Sequence, residues 1–280
     1  MRGHNLVLLH GQPGTAAEWQ RLIAMMPKQI SAVALDRPGH GSSQKAGGGL
    51  DVNTAAVIEE LDARGIDRAV LVGHSYGGGV ALAVAARAPD RVEALVLLGS
   101  VGPDCLNAAD WLLAAPVAGA VCALFAWKLT PWFARVTLRV LARRQGWEGA
   151  VGRHVNWYVW GFTAWDNGPL WRTFLAEQKA LVREAPTFAE MAASIRVPAL
   201  IVADPRDPLV PLRTAIALSN SLRDARLHLI DGAGHHLPLR APEELAREIV
   251  SFLEPLAGRS PGSQPEGPCG VAPHGPKPLD

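Results

Sequence analysis

Six short apolar runs mark out the chain: Asn5–Leu9, Ser31–Leu35, Val70–Val72, Ala94–Leu98, Val197–Ala203 and Arg226–Ile230. Their length and near-continuous hydrophobicity predict strands, the inner ones buried on both faces. Between them lie stretches with helical spacing. Ala17–Met26 sets Trp19, Leu22 and Ile23 on one face, Asn53–Arg64 stops at Gly65, and Val80–Arg87 is Ala-rich. Leu212–Leu222 and Pro242–Leu256 follow the same period. Strand–helix alternation predicts a mostly parallel, doubly wound sheet with helices on both faces. The alternation breaks near Gly102. From Pro103 to Glu190 the chain reads helical and holds eight of the nine tryptophans. The expectation is an α/β core over residues 1–102 and 191–257, an inserted helical cap over 103–190, and a disordered Pro/Gly-rich tail over 258–280.

Chemistry concentrates where the third strand meets its helix. There Gly73-His74-Ser75-Tyr76-Gly77 matches G-x-S-x-G, a sharp turn that strains the central serine and exposes its hydroxyl. Glycines two residues either side are expected because a Cβ there would strike the neighbouring strand or helix. Ser75 would also face the positive end of the following helix.

A serine hydroxyl is a weak nucleophile near neutral pH and needs a base, itself oriented by an acid. Loops leaving the last two strands carry both types: Asp204 and Asp207 in one, His235 and His236 in the other, with Asp104 a further acid beyond the preceding strand. The carboxyl ends of parallel strands bring such loops together.

Composition narrows the field. The net charge of +1 gives no reason to expect nucleic acid as a partner. Three irregularly spaced cysteines suggest neither disulfides nor a metal site, and fit a reducing cytoplasm. Met1-Arg2-Gly3-His4 runs straight into a strand with no signal-peptide pattern. The least charged stretch, Trp111–Trp127, is short for a membrane span and contains Pro116 and Gly119, so a helical hairpin in a lid is expected. Basic residues Lys128, Arg135, Arg139, Arg143, Arg144 and Arg153 read as a solvated face, with a weak membrane-surface contact as the rival reading.

Five ordered pieces carry a family resemblance: His10-Gly-Gln-Pro-Gly14, Asp36-Arg-Pro-Gly-His-Gly-Ser42, Gly73-His-Ser-Tyr-Gly-Gly78, Asp207-Pro-Leu-Val-Pro211 and Gly234-His-His-Leu-Pro-Leu-Arg-Ala-Pro242. The chain resembles an α/β-hydrolase-fold serine hydrolase with a helical cap, lacking the family's first two strands. The resemblance implies Ser75 as nucleophile, His235 as base and Asp207 as orienting acid. It implies an oxyanion hole from the backbone amides of Gln12 and Tyr76, and no cofactor or metal. Asp204 is then a turn residue, His10 and His40 loop pins, and His74 structural. The Gln12 side chain either contacts substrate or caps its turn. Trp127, Trp132, Trp157, Trp160, Trp165 and Trp171 read one by one as cap core, with one or two of the rings expected to line a pocket for a small apolar substrate.

The expected activity is hydrolysis of an apolar carboxylic ester. Hydrolytic carbon–carbon cleavage, prolyl peptide hydrolysis and perhydrolysis share the triad, and a non-catalytic binder is the rival from another class. Epoxide hydrolases and haloalkane dehalogenases have a similar cap but use Asp where Ser75 stands. Oligomeric state has no signature in the sequence.

Overall fold

The computed structural model describes residues 4–119, 121 and 170–256. Six strands form one sheet: β1 (Asn5–Leu9), β2 (Ser31–Leu35), β3 (Ala69–His74), β4 (Val92–Leu98), β5 (Ala199–Ala203) and β6 (Ala225–Leu229). All five strand pairs are parallel, in the order β2-β1-β3-β4-β5-β6. The order reverses between β1 and β3, which opens a crevice at their carboxyl ends.

The helices are α1 (Gln20–Met25), α2 (Leu50–Ala63), α3 (Tyr76–Arg87), α4 (Ala108–Ala114), α5 (Leu170–Glu184), α6 (Phe188–Ser194), α7 (Leu212–Ser221), α8 (Leu237–Arg240) and α9 (Pro242–Leu253). They cover both faces of the sheet. Every residue of β3 is buried, and successive side chains enter opposite cores. Leu71 joins Val57 and Leu61 of α2, Val80 and Val84 of α3, Phe188 of α6 and Leu218 of α7. Val70 and Val72 join Trp19, Leu22 of α1, and Leu245 and Ile249 of α9.

Three helix starts differ from the sequence expectation. Helix α3 begins at Tyr76, four residues before Val80, and takes in Gly77, Gly78 and Gly79. Glycine disfavours helix by about 1 kcal/mol per residue, so propensity delays the start; close packing reverses this. The segment expected as one helix, Ala17–Met26, opens instead with a 3₁₀ turn, Ala16–Trp19, capped by Thr15 Oγ1 accepting from the Ala17 amide at 3.3 Å. Helix α2 begins at Leu50, before Asn53, and the Leu50 amide donates to Glu184 Oε2 of α5 at 3.2 Å. A carboxylate from elsewhere in the fold thus meets the positive end of α2.

Helices α5 and α6 come from the end of the segment expected as cap, yet they pack on the core. Phe188 and Ala192 are fully buried in the same cluster as α3. The rest of the expected cap, residues 120 and 122–169, lies outside the described residues. So do the basic stretch, the tryptophans Trp127, Trp132, Trp157, Trp160 and Trp165, the side chain of Trp171, and the expected tail. No described helix is long and apolar enough to cross a membrane.

Replacing Phe188 with Ala empties a fully buried site beside α3, and is expected to cost about 3–5 kcal/mol in denaturant unfolding.

Candidate active site

Ser75 stands between β3 and α3 with φ 53° and ψ −121°, a left-handed conformation rare for a residue with a side chain. Tight neighbours impose it. The Ser75 amide donates to Leu98 O at 3.0 Å, and its carbonyl accepts from the Gly78 and Val101 amides at 2.9 and 3.1 Å. A Cβ on Gly77 would lie 2.2 Å from the Leu9 carbonyl oxygen, and one on Gly73 would lie 2.5 Å from Gly78 Cα. Both flanking glycines are therefore obligatory, as the motif suggested. The Tyr76 amide is the first of α3 and has no partner within the helix.

His235 and Asp207 meet from the loops after β6 and β5. His235 Nδ1 donates to Asp207 Oδ2 at 2.8 Å, while Asp207 Oδ1 accepts from the Leu209 and Val210 amides at 2.8 and 3.0 Å. Burial alone would raise the Asp207 pKa; the His235 contact and the two amides outweigh it and hold the carboxyl below its ordinary range. For His235, burial lowers the pKa and the His74 charge adds to this. The Asp207 hydrogen bond opposes both, and the net shift is downward. With Nδ1 committed to Asp207, Nε2 carries the free lone pair.

The competing acids have other work. Asp204 accepts from the Arg206 amide at 2.7 Å and the Gly234 amide at 2.6 Å, tying the two loops together. Asp104 is exposed, and its carbonyl accepts from Arg213 Nε at 3.0 Å. His74 reaches the base loop directly: its Nε2 lies 2.8 Å from the His235 carbonyl oxygen. The residue beside Ser75 is thereby bonded to the loop carrying His235.

The loop after β1 is held by Arg37, 2% exposed. Its Nε donates to His10 O and its Nη2 to Gly11 O, both at 2.8 Å. Its Nη1 donates to Asn53 Oδ1 of α2 at 2.9 Å and pairs with Glu177 of α5. His40 Nε2 meets the same carboxylate at 3.2 Å. Burial opposes ionisation of Glu177, but Arg37 and His40 overcome it and its pKa is lowered. His10 Nε2 accepts from the Arg37 amide at 3.0 Å, so the ring proton sits on Nδ1, which donates to Gly11 O at 2.8 Å. Burial and the Arg37 charge keep that ring neutral. His10 and His40 are loop pins, as expected. The Arg37 guanidinium also sits 5.0 Å from the Tyr76 ring centroid, a cation–π contact.

Gln12 neither caps its own turn nor stands alone. Its Nε2 donates to Gln178 Oε1 of α5, and Gln178 Nε2 donates to Asp110 Oδ1 of α4 at 2.6 Å. Sequence reasoning missed Glu177, Gln178 and the buried Glu18. Glu177 and Gln178 sit in a polar amphipathic helix that resembles a solvated face. Among the described residues, no group of three His, Cys, Asp or Glu side chains is placed to hold a metal.

Comparison with known proteins identifies the family and the fold. The model of the alpha/beta hydrolase family matches residues 6–248. The chain is 28% identical over 273 residues to 2-hydroxymuconate semialdehyde hydrolase of Pseudomonas sp. (strain CF600), covering 90% of this chain and 87% of that one. A thermophilic esterase from Thermogutta terrifontis superposes with TM-score 0.71 at 19% identity, covering 91% of this chain and 90% of that one. The 2-hydroxy-6-oxo-6-phenylhexa-2,4-dienoate hydrolase from Rhodococcus sp. strain RHA1 gives TM-score 0.71 at 21% identity, covering 90% of each chain. At those identities, the two structures speak for the fold alone.

Replacing Arg37 with Met would leave the Glu177 carboxylate buried without its main partner, at an expected cost of about 3–5 kcal/mol. Chemical denaturation of the single variant and of Arg37→Met with Glu177→Leu checks this. The double variant should recover much of the loss.

Proposed function

The chain belongs to the alpha/beta hydrolase family, and on that footing we propose that it is a cofactor-independent serine hydrolase of small apolar carboxylic esters. Membership makes it a hydrolase; the bond it cleaves and the residues that cleave it are the proposal. The observation that carries it is the strained Ser75 turn, bonded through its neighbour His74 to the loop of a buried His235–Asp207 pair.

In this reading Ser75 Oγ attacks the ester carbonyl carbon while His235 Nε2 takes the hydroxyl proton. Charge on the carbonyl oxygen is met by the amides of Tyr76 and Gln12, with the α3 dipole behind the first. His235 returns the proton to the departing alkoxide, leaving an acyl group on Ser75. Water then attacks that acyl carbon, losing its proton to His235, and Ser75 leaves with the proton restored. Asp207 keeps the imidazole in one orientation and one tautomer throughout.

A second reading has its own support. The likeness to 2-hydroxymuconate semialdehyde hydrolase spans 90% of the chain, which favours hydrolytic carbon–carbon cleavage of a diketone-type substrate. The same triad would attack a ketone carbonyl, and His235 would protonate a carbanion instead of an alkoxide.

Intact mass after fluorophosphonate treatment tests the shared step. One adduct is expected on the wild type and none on Ser75→Ala, whose ester turnover should fall by on the order of 10⁴ or more. No adduct on folded wild-type protein would overturn Ser75 as an activated nucleophile. A panel of esters and diketones then separates the two hydrolytic readings.

The base acts only when neutral, and its pKa is lowered in the fold, so its neutral form persists to lower pH than for a free imidazole. The acid limb of kcat/KM is expected below roughly pH 6.5. A limb at or above that value would contradict His235 as the base.

A further inference from the structure

We propose that Glu18 and His74 form a second buried acid–histidine pair, which anchors the loop of His235 and places a fixed positive charge behind the base. His74 is then a positioning residue and not a mere filler of the turn. The clause that concerns the base rests on the reading of His235 given above; the pair itself does not.

Glu18 is 1% exposed, and it lies on the 3₁₀ turn before α1. Thr15-Ala16-Ala17-Glu18 has the spacing of a capping box, in which the glutamate would fold back to the threonine amide. It does not do so here. Thr15 Oγ1 accepts from the Ala17 amide, Thr15 O accepts from the Glu18 amide at 3.2 Å, and the Glu18 side chain turns inward. Its Oε1 comes 3.5 Å from His74 Nδ1, an ion-pair contact, and neither atom has a hydrogen-bond partner. A buried carboxylate without a counter-charge costs several kcal/mol.

The other nitrogen of His74 fixes its protonation. Nε2 can hold the His235 carbonyl at 2.8 Å only as a donor. A neutral ring would therefore present the bare lone pair of Nδ1 to the Glu18 oxygen. One proton must sit between them, and imidazole is the stronger base by about two pH units in water. An imidazolium facing a carboxylate satisfies both atoms. In agreement, burial lowers the His74 pKa but Glu18 more than reverses it, and the net shift is upward.

Other charged or titratable groups surround this pair. His10 at the end of β1 is held neutral by burial and by Arg37. His236 is driven down to about 3 by burial and by the two neighbouring histidines, with Arg240 of α8 adding to the effect. Asp207, bonded to His235, favours charge on both His74 and His235. The Trp19 ring, itself fully buried, meets His74 edge-on with centroids 6.5 Å apart.

Two consequences follow for the base. The His74–His235 bond ties the strand that presents Ser75 to the loop that presents the imidazole. The His74 ring lies 5.0 Å from the His235 ring, and its charge opposes a second proton there, an effect that the more distant Glu18 carboxylate offsets only in part. His235 stays neutral to lower pH, and its imidazolium, once formed, is a stronger acid toward the leaving group.

The test is an NMR titration of the full chain labelled at histidine Cε1, over about pH 5 to 9. The wild type and Glu18→Gln are compared, with signals assigned through His74→Gln and His235→Gln. In the wild type, the His74 midpoint should lie above the ordinary imidazole value of about 6.5. In Glu18→Gln its midpoint should fall by about 1–3 pH units, and that of His235 should rise. A neutral His74 in the wild type at about pH 6 overturns the proposal. So do midpoints that Glu18→Gln leaves in place. The wild-type titration decides the matter even if the variant fails to fold. Fluorophosphonate labelling keeps the two readings apart: a Ser75 adduct with a neutral His74 overturns the pair alone, and a protonated His74 with no adduct supports the pair while overturning the hydrolase reading.

Discussion

The buried guanidinium of Arg37 is the interaction on which the shape of the candidate site depends. Its donors reach the loop after β1 through the carbonyls of His10 and Gly11, α2 through Asn53, and α5 through Glu177. Arg37 itself leaves the end of β2. A single planar cation thereby fixes four segments that are distant in sequence. Desolvating such a charge is costly, and only dense pairing offsets it. Here the fork geometry of arginine matters, because a lysine ammonium could not span the same set of oxygens. With their carbonyls turned toward Arg37, His10 and Gly11 set the path of the loop into Gln12, whose amide is the proposed second oxyanion donor.

The second constraint is steric. Helix α3 approaches β1 so closely that Gly77 has a carbonyl oxygen where a side chain would begin. That proximity forces the turn at Ser75 into a left-handed conformation and sends the helix axis toward the serine. Stability and chemistry pull in opposite directions at this spot. Three glycines in the first turns weaken the helix, and a serine at φ 53° carries strain. The fully buried β3 and the apolar face of α3 supply the packing that holds both.

Electrostatics then link the parts. Ionisable groups are stacked in depth: Asp207 beside His235, His74 behind it, and Glu18 behind that. The two histidines stand between the two acids, and none of the four side chains lies open to solvent. Such an order lets one buried histidine carry charge while another a few ångströms away stays neutral, since each sees a different set of neighbours. The same logic operates on the other side of Ser75, where Arg37 and Glu177 are charged and His10 is not.

Much of this was legible from residue order. Six apolar runs, helical spacing between them and the glycine-flanked serine determined a parallel α/β sheet with a turn at Ser75. Residue order also placed candidate acids and histidines in loops that meet, and the family resemblance singled out Asp207 and His235 among them. Patterns of this kind are visible because strand burial and turn geometry act over a few residues. Tertiary structure alone decided the roles of Glu18, Glu177 and Gln178. In sequence, Glu18 reads as a helix cap, and the other two read as the wet side of an amphipathic helix. Their inward face is polar because it meets Arg37, His40 and Gln12, partners more than a hundred residues away for Glu177 and Gln178. The start of α3 was decided in the same way, since helix propensity is local and the closeness of β1 is not.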